Sequence, residues 1–225
     1  MILDRPPSSS STILPDYATS EYSDLENSRP PRYWTHERPE HPVTYTFTNW
    51  NSKTMLLIPP PNTGRASGSE SLPSYTISVS LNLNPFLPIS YVTSVHRVGS
   101  EDNLLLGEFE LAINHSREIL MMRGFNTRIS NVLSNIQSSP RHWWWGLGGI
   151  SLRWDCRTAL EDGSFMCICY AADESRGQLA TFIPPPIASS PPLPDPMLTV
   201  FPDGHQFFDH ILISALIIER KMTTS

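Results

Sequence analysis

Hydrophobic and polar residues alternate along much of the chain from Val43 onward, and this pattern predicts β-strands. In residues 75–83 every odd-numbered residue is apolar and every even-numbered residue is polar, so one face would be buried and the other would face water. Short runs rich in Val, Ile, Thr, Tyr and Phe recur between Pro, Gly, Asn and Ser, as is typical of strands and turns. The predicted strands are residues 43–48, 53–58, 75–83, 89–97, 105–112, 118–123, 142–145, 151–160, 165–171, 178–183 and 197–201.

One hairpin is predicted with particular clarity, at Asp162-Gly163 between two of these strands. A type I′ turn is expected there, because both of its central residues must accept a positive φ angle. Counting outward from that turn places Cys156 opposite Cys169, with Cys167 on the same strand face. Three cysteines so placed offer ligands to zinc. The same face is otherwise apolar, and buried cysteine behaves as a small hydrophobe, so core packing is the favoured interpretation and no metal is predicted.

The end of the chain has a different pattern. Residues 206–221 contain neither Pro nor Gly and are apolar nearly all round, which predicts a helix that is buried on most sides. A helix of about 16 residues is roughly 24 Å long, and Asp209 and His210 interrupt its apolar character, so a membrane span is not expected. We therefore expect this helix at the centre of the β structure.

Composition supports one mostly β domain behind a tail. The chain has 225 residues and 22 prolines, a length that suits one domain and a proline content that a helical bundle would not accommodate. Residues 1–42 are rich in Pro and Ser and lack a hydrophobic period, so we predict that they are disordered. The folded domain is predicted to cover residues 43–222.

Charge and motifs restrict the classes of function. The net charge is −6 and the 16 Lys and Arg residues are scattered, which argues against a nucleic-acid partner. There is no basic, apolar leader and no disulfide framework, so we expect a soluble, monomeric protein of the cytoplasm or nucleus. The phosphate loop, the dinucleotide fingerprint, the Gly-x-Ser-x-Gly elbow and His-Glu-x-x-His are absent from the sequence. A non-enzymatic protein without a cofactor is the expectation.

Two short motifs in the tail predict protein partners. The sequence PPRY at residues 30–33 matches the Pro-Pro-x-Tyr ligand of WW domains, whose preformed polyproline II geometry lowers the entropy cost of binding. LPDY at residues 14–17 is similar to a weaker variant, and two motifs on one tail would act bivalently. Pro-rich segments also produce such matches by chance. The predicted WW-binding residues are Leu14, Pro15, Tyr17, Pro30, Pro31 and Tyr33.

The run of tryptophans at residues 143–145 predicts one further contact. Alternation sends Trp144 to the face opposite Trp143 and Trp145. An exposed indole would serve as an anchor for a protein partner, a sugar or a membrane interface. In the alternative interpretation, Trp144 packs beneath a loop such as residues 184–196 and contacts the guanidinium of Arg141 or Arg153.

Several local sequences resemble a fungal family of unknown function, common in basidiomycetes, that belongs to the tubby C-terminal-like group. The resemblance covers about residues 43–222 and rests on YTF at 45–47, SSPRHW at 138–143, LRWDCR at 152–157, the proline-rich residues 184–194 and FDHILISAL at 208–216. It implies a tubby-like, closed or nearly closed antiparallel β-barrel with the hydrophobic C-terminal helix at its centre. Related groups bind phosphoinositides or act at membranes as scramblase-like proteins, but this sequence has no counterpart of their basic pockets, and no site residues are implied.

Three functions follow as hypotheses. The first is a non-enzymatic adaptor that presents WW-domain ligands on its tail. The second is a peripheral membrane or phospholipid-binding protein that uses a pocket at the end of the barrel together with Trp144. The third is an enzyme of unrecognised type, which would require a pocket with convergent titratable groups.

Overall fold

The structure is a computed structural model that describes residues 39–61, 74–98, 104–113, 117–172, 177–186 and 193–223. These residues belong to one compact unit, Glu37–Ser225. The predicted tail motifs, with Leu14, Pro15, Tyr17, Pro30, Pro31 and Tyr33, lie outside the described residues. The same is true of the middle of the proline-rich loop, residues 187–192.

The described part of the chain is mostly β, as predicted, and its strands form one antiparallel sheet. The order across the sheet is β7-β6-β5-β4-β3-β2-β1-β13-β12-β11-β10-β9-β8. The elements are β1 Val43–Phe47, β2 Thr54–Ile58, β3 Ser74–Asn82, β4 Ser90–Val98, β5 Leu104–Ala112, β6 Glu118–Met122, β7 Phe125–Arg128, α1 Ile129–Val132, β8 Leu133–Asn135, β9 His142–Leu147, β10 Ile150–Ala159, β11 Phe165–Ala171, β12 Gln178–Ile183, β13 Met197–Val200 and α2 Phe208–Thr223.

Every strand predicted from the sequence is present, with ends that agree to within two residues. The two strands that the pattern did not predict, β7 and β8, are four and three residues long. Neither shows the alternation of apolar and polar residues, and they flank the single helical turn α1. Elements this short carry too few residues to display a period.

The hairpin between β10 and β11 is real, but the predicted type I′ turn is wrong. The Leu160 N–H donates to the Ser164 carbonyl at 2.9 Å and the Gly163 N–H donates to the Leu160 carbonyl at 3.0 Å. Gly163 has φ +82°, whereas Asp162 is absent from the described residues with positive φ. This is a three-residue loop in which a turn is followed by a left-handed glycine.

The longer loop also changes the register of the cysteines. A β-bulge follows between Asp155 and Thr158, so that Trp154, and not Cys156, lies opposite Cys169. The loop and the bulge each shift the pairing by one residue, which accounts for the difference from the prediction. Because the two shifts add to an even number, the three cysteines still face the core.

The two edge strands of the sheet, β7 and β8, are consecutive in the chain and are joined by α1. The described residues form no β-ladder between them, so the sheet is not closed by hydrogen bonds. Helix α1 buries Ile129 and Val132 and contacts β6 on one side and β9 on the other. At the end of this gap the ring of Phe125 lies against Gly148, where a Cβ atom would be 3.3 Å from Phe125 Cε2.

Helix α2 packs against the sheet and is buried along most of its length. It follows a 3₁₀ segment that begins at Pro202, and its residues from His210 to Ile218 are all buried. Strands from both halves of the sheet contact it, because Tyr75 of β3 stacks on the helix and Trp145 and Trp154 of β9 and β10 donate hydrogen bonds to it. No helix in the described residues combines the length and apolar character needed to cross a membrane.

Candidate functional site

The N-terminal end of α2 is filled by aromatic side chains. Phe208 stacks on Tyr75 with ring centroids 4.7 Å apart and an interplanar angle of 14°, and its centroid lies 4.9 Å from that of Tyr45. Beside it, Asp209 accepts a hydrogen bond of 2.8 Å from Arg123 in the turn between β6 and β7. This end of the helix has a packed, structural character.

Polar groups in the middle of α2 are also satisfied by the sheet. Trp154 Nε1 donates to Ser214 Oγ at 2.9 Å, and Ser214 Oγ donates to the His210 carbonyl at 2.6 Å. Trp145 Nε1 donates to His210 Nδ1 at 3.3 Å, which requires that nitrogen to be unprotonated. Burial and the nearby Arg123 lower the pKa of His210 to about 4. His210 is therefore a neutral hydrogen-bond acceptor in the core.

The C-terminal end of α2 differs, because an open cavity remains between the helix and the sheet. Its volume is about 120 Å³, and it opens to solvent. Most of its lining is apolar, and among the described residues that line it Glu219 and Arg220 are the charged ones. The cavity, called the end cavity below, is lined by Phe47, Trp50, Met55, Ile77, Val79, Thr93, Phe109, Phe182, Pro185, Pro196, Leu216, Glu219 and Arg220.

Glu219 lies in the last turns of α2 and is about three-quarters buried, with 24% of its side chain exposed. The nearest approach of its neighbour is Arg220 Nε, 3.8 Å from Glu219 Oε2, which is beyond hydrogen-bond distance. Burial raises the pKa of Glu219, and the positive charge of Arg220 opposes that change without overcoming it. The end cavity thus holds a carboxyl group in unfavourable surroundings.

Exposed apolar side chains surround the sheet next to the end cavity. Val79 pairs with Thr93 inside the cavity, and the next inward-facing pair along the same strands, Leu81 and Tyr91, lies beyond it in solvent. The connection between β3 and β4 adds further exposed residues, of which Phe86 is 92% exposed. The Ile113 N–H donates to the Ile89 carbonyl at 3.1 Å and so ties β5 to this connection. The apolar rim, as we name this surface, comprises Leu81, Leu83, Phe86, Ile89, Tyr91 and Ile113.

Trp144 lies on the face of β9 opposite to Trp143 and Trp145, as alternation predicts. Of the two alternatives for its surroundings, exposure fits better, because its side chain is 40% exposed whereas Trp143 and Trp145 are buried. The expected cation–π partners are engaged elsewhere: Arg153 lies over Tyr170 at 5.0 Å and Arg141 lies over Phe165 at 3.7 Å. Trp144 does not line the end cavity.

The three cysteines are buried in the core beside α2. A hydrogen bond with Cys167 and burial raise the pKa of Cys156, and burial raises the pKa of Cys169. Thiols with raised pKa values are poor nucleophiles and poor metal ligands. In the described part of the chain, no group of three His, Cys, Asp or Glu side chains has a geometry that would hold a metal ion.

Sequence reasoning placed a pocket at the end of the barrel in general terms but did not identify Glu219 or the rim. The sequence around Glu219 is typical of the solvated end of a helix, so it does not indicate that the side chain is buried. The cavity beside Glu219 is formed by strands that are distant in sequence. Comparisons with protein-family models, with curated proteins and with solved structures found no match.

Proposed function

We propose that this domain is a non-catalytic binding protein that takes the apolar chain of a single-chain, lipid-like molecule into the end cavity. The observation that carries the proposal is the mostly apolar cavity of about 120 Å³ that opens to solvent beside Glu219. Small-molecule sites are likewise mostly apolar with a few polar groups. Among the described residues of the lining, Glu219 and Arg220 are too few convergent titratable groups for a hydrolase or transferase, which supports a role without catalysis.

Apolar burial supplies the affinity in this proposal. Each methylene group that moves from water into the cavity contributes about 0.8 kcal/mol, so a chain with about four buried methylenes gains about 3 kcal/mol before the costs of association. Met55 and Leu216 offer adaptable or aliphatic contacts, and Phe47 and Phe182 form one wall with ring centroids 5.8 Å apart. Such a surface accepts an alkyl chain without requiring hydrogen bonds.

The apolar rim gives the cavity access to membranes. In the connection between β3 and β4, Phe86 is 92% exposed and Leu83 is 67% exposed, and large exposed apolar surfaces mark interaction sites. We propose that the rim rests in the interface of a bilayer, where the ligand is already concentrated. A protein that works in this way is a peripheral lipid-binding protein of the cytoplasm or nucleus that acts as a monomer without a nucleic-acid partner.

The proposed fold assignment is a tubby-like β-barrel with α2 at its centre. Two features support it: the two edge strands are neighbours in the chain joined by α1, and the sheet contacts α2 from both of its halves. In a barrel of this kind the gap between β7 and β8 is closed by side chains of α1 in place of a ladder. Membership of the fungal family within that group is part of the same proposal.

Vesicle flotation tests the membrane part of the proposal. The wild-type domain is expected to float with phosphatidylcholine vesicles, and Phe86→Asp is expected to remove most of that binding, because a charge in the rim opposes entry into the interface. Phe125→Asp is the matched control, since Phe125 is 49% exposed at the opposite end of the sheet. Absence of flotation, or equal loss in both variants, would contradict the proposal.

Trp144→Ala separates the two membrane surfaces that have been considered. Because Trp144 lies on the outer face of β9 and outside the end cavity, this variant is expected to float like the wild type. Loss of flotation by Trp144→Ala with normal flotation of Phe86→Asp would assign membrane contact to the outer face of β9.

An adaptor function in the tail is the second candidate, and the sequences PPRY and LPDY favour it. Full-length protein and a Tyr17→Ala, Tyr33→Ala double variant are compared in a pull-down that is analysed by mass spectrometry. WW-domain proteins retained by the wild type and lost by the variant are the expected result. Identical protein sets would show that both motifs are chance matches.

A further inference from the structure

Glu219 costs the domain stability in its present surroundings. It is a carboxylate near the C-terminus of α2, where the carbonyl ends of the helix already concentrate negative charge. Its side chain is about three-quarters buried beside apolar side chains, and the described residues donate no hydrogen bond to its carboxylate, whose nearest cationic atom is Arg220 Nε at 3.8 Å. A glutamine of the same shape would avoid the cost of the charge. Buried carboxylates with a perturbed pKa that lack a hydrogen-bond donor are candidates for binding sites.

The walls around Glu219 favour a positive charge. Four aromatic side chains line the end cavity, and the faces of aromatic rings attract cations. In the described part of the lining, the strands contribute no charged residue and Arg220 is the basic side chain. The Arg220 side chain is 43% exposed, so water screens its charge more strongly than that of Glu219. The four aromatic residues are Phe47, Trp50, Phe109 and Phe182.

We propose that the ligand of the end cavity is a cationic amphiphile, a single alkyl chain with an ammonium head group, and that Glu219 binds the ammonium while the aromatic and aliphatic walls hold the chain. This inference rests on the proposed lipid-like ligand and specifies its head group. An ammonium donates up to three hydrogen bonds and brings the opposite charge, which satisfies the carboxylate that the protein leaves without a donor. An anionic head group would instead face Glu219 and be repelled.

Binding of such a ligand has a defined pH dependence. The ammonium requires ionised Glu219, and burial places the pKa of that carboxyl above its ordinary value. Affinity is therefore expected to fall as the pH drops through the raised pKa of Glu219, at a higher pH than for an exposed glutamate. Arg220 is the other charged group among the described residues that line the cavity beside Glu219.

The test compares three amphiphiles of equal chain length by isothermal titration calorimetry below their micelle concentrations: dodecylamine, dodecanol and dodecanoate. The proteins are the wild type, Glu219→Gln and Glu161→Gln, which makes the same charge change in the exposed turn between β10 and β11. The wild type and Glu161→Gln are expected to bind dodecylamine at least about tenfold more tightly than dodecanol, as a charge-assisted hydrogen bond allows. In Glu219→Gln this preference should vanish while dodecanol binding stays unchanged.

The outcomes separate the two proposals. Equal binding of all three amphiphiles, or an amine preference that survives in Glu219→Gln, overturns the assignment of the head group and leaves the lipid-like ligand intact. If none of the three binds, the proposed function fails and the head-group assignment fails with it. A thermal melt of Glu219→Gln serves as the folding control.

Discussion

The two ends of helix α2 are built in different ways. At its start, Phe208 packs against Tyr45 and Tyr75, and Asp209 is paired with Arg123. Near its end, Lys221 is paired with Glu118 of β6, but the carboxylate of Glu219 accepts no hydrogen bond from the described residues and lines an open cavity. The same helix and the same sheet supply both environments. We infer that the first end stabilises the fold and that the second end leaves space for a ligand.

The largest expected effect comes from Phe208→Ala, which opens the filled end. The change removes two aromatic contacts and leaves a cavity in the core, and it should lower the free energy of unfolding by about 3–5 kcal/mol. Chemical denaturation measures this change. Phe86→Ala is the control, because its 92% exposed side chain should contribute less than about 0.5 kcal/mol. Similar effects in the two variants would contradict the distinction between the filled end and the rim.

Acid should lower the stability of the folded protein because His210, which is buried near the start of α2, must take up a proton. The pKa of His210 is about 4 in the folded protein against an ordinary value of 6.5, so the unfolded chain binds a proton first as the pH falls. The free energy of unfolding should therefore drop by up to about 3 kcal/mol between pH 6.5 and pH 4. His210→Gln retains an acceptor for Trp145 and should flatten that drop. A wild-type protein with pH-independent stability over this range would be inconsistent with a neutral, buried His210.

An intermediate effect is expected for Ser214→Ala in the middle of α2. The Trp154 N–H would lose its acceptor at 2.9 Å while remaining buried, which costs about 1–3 kcal/mol. Ser151→Ala, at an exposed position of the neighbouring strand β10, is the matched control and should be close to neutral. Equal midpoints of denaturation for the two variants would count against the hydrogen bond.

The smallest change in the free energy of unfolding is expected for Glu219→Gln, and it should be an increase where the other variants show a decrease. Because burial raises the pKa of Glu219, the charged form destabilises the folded state, and that cost is present at pH values above its raised pKa. The variant should be more stable than the wild type by roughly 0.5 kcal/mol at pH 8 and equal to it at pH 4. A loss of stability at pH 8 would mean that Glu219 has a structural partner.

The strands and the helix could be predicted because each carries its own periodic pattern. Residues 75–83 alternate strictly and residues 206–221 are apolar all round, so each element is legible without its neighbours. The register between β10 and β11 was harder to predict from the sequence. The three-residue loop at Gly163 and the bulge after Asp155 each shift the pairing by one residue, and nothing in the composition of these segments indicates the bulge. The opposite facing of Trp144 relative to Trp143 and Trp145 followed correctly from alternation within β9, whereas alternation left open whether Trp144 is exposed or covered by a loop.

The end cavity could not be predicted from the sequence because its walls come from distant parts of the chain. Phe47, Phe109 and Phe182 belong to three different strands and meet only when the sheet curves around α2. Glu219 in turn looks like the ordinary polar end of an amphipathic helix until the strands that bury it are in place. The local pattern of apolar and polar residues thus predicts the strands and the helix, whereas the cavity between them depends on how the whole chain packs.

Methyl NMR during titration with dodecanol tests the contrast between the two ends of α2 most directly. Saturable shifts are predicted for the methyl groups that line the end cavity, those of Met55, Ile77, Val79 and Leu216. The methyl groups near the start of the helix, those of Val43, Leu152 and Ile211, are predicted to stay unchanged, because that end is already filled. Shifts spread over both ends, or no shifts at all, would contradict the account.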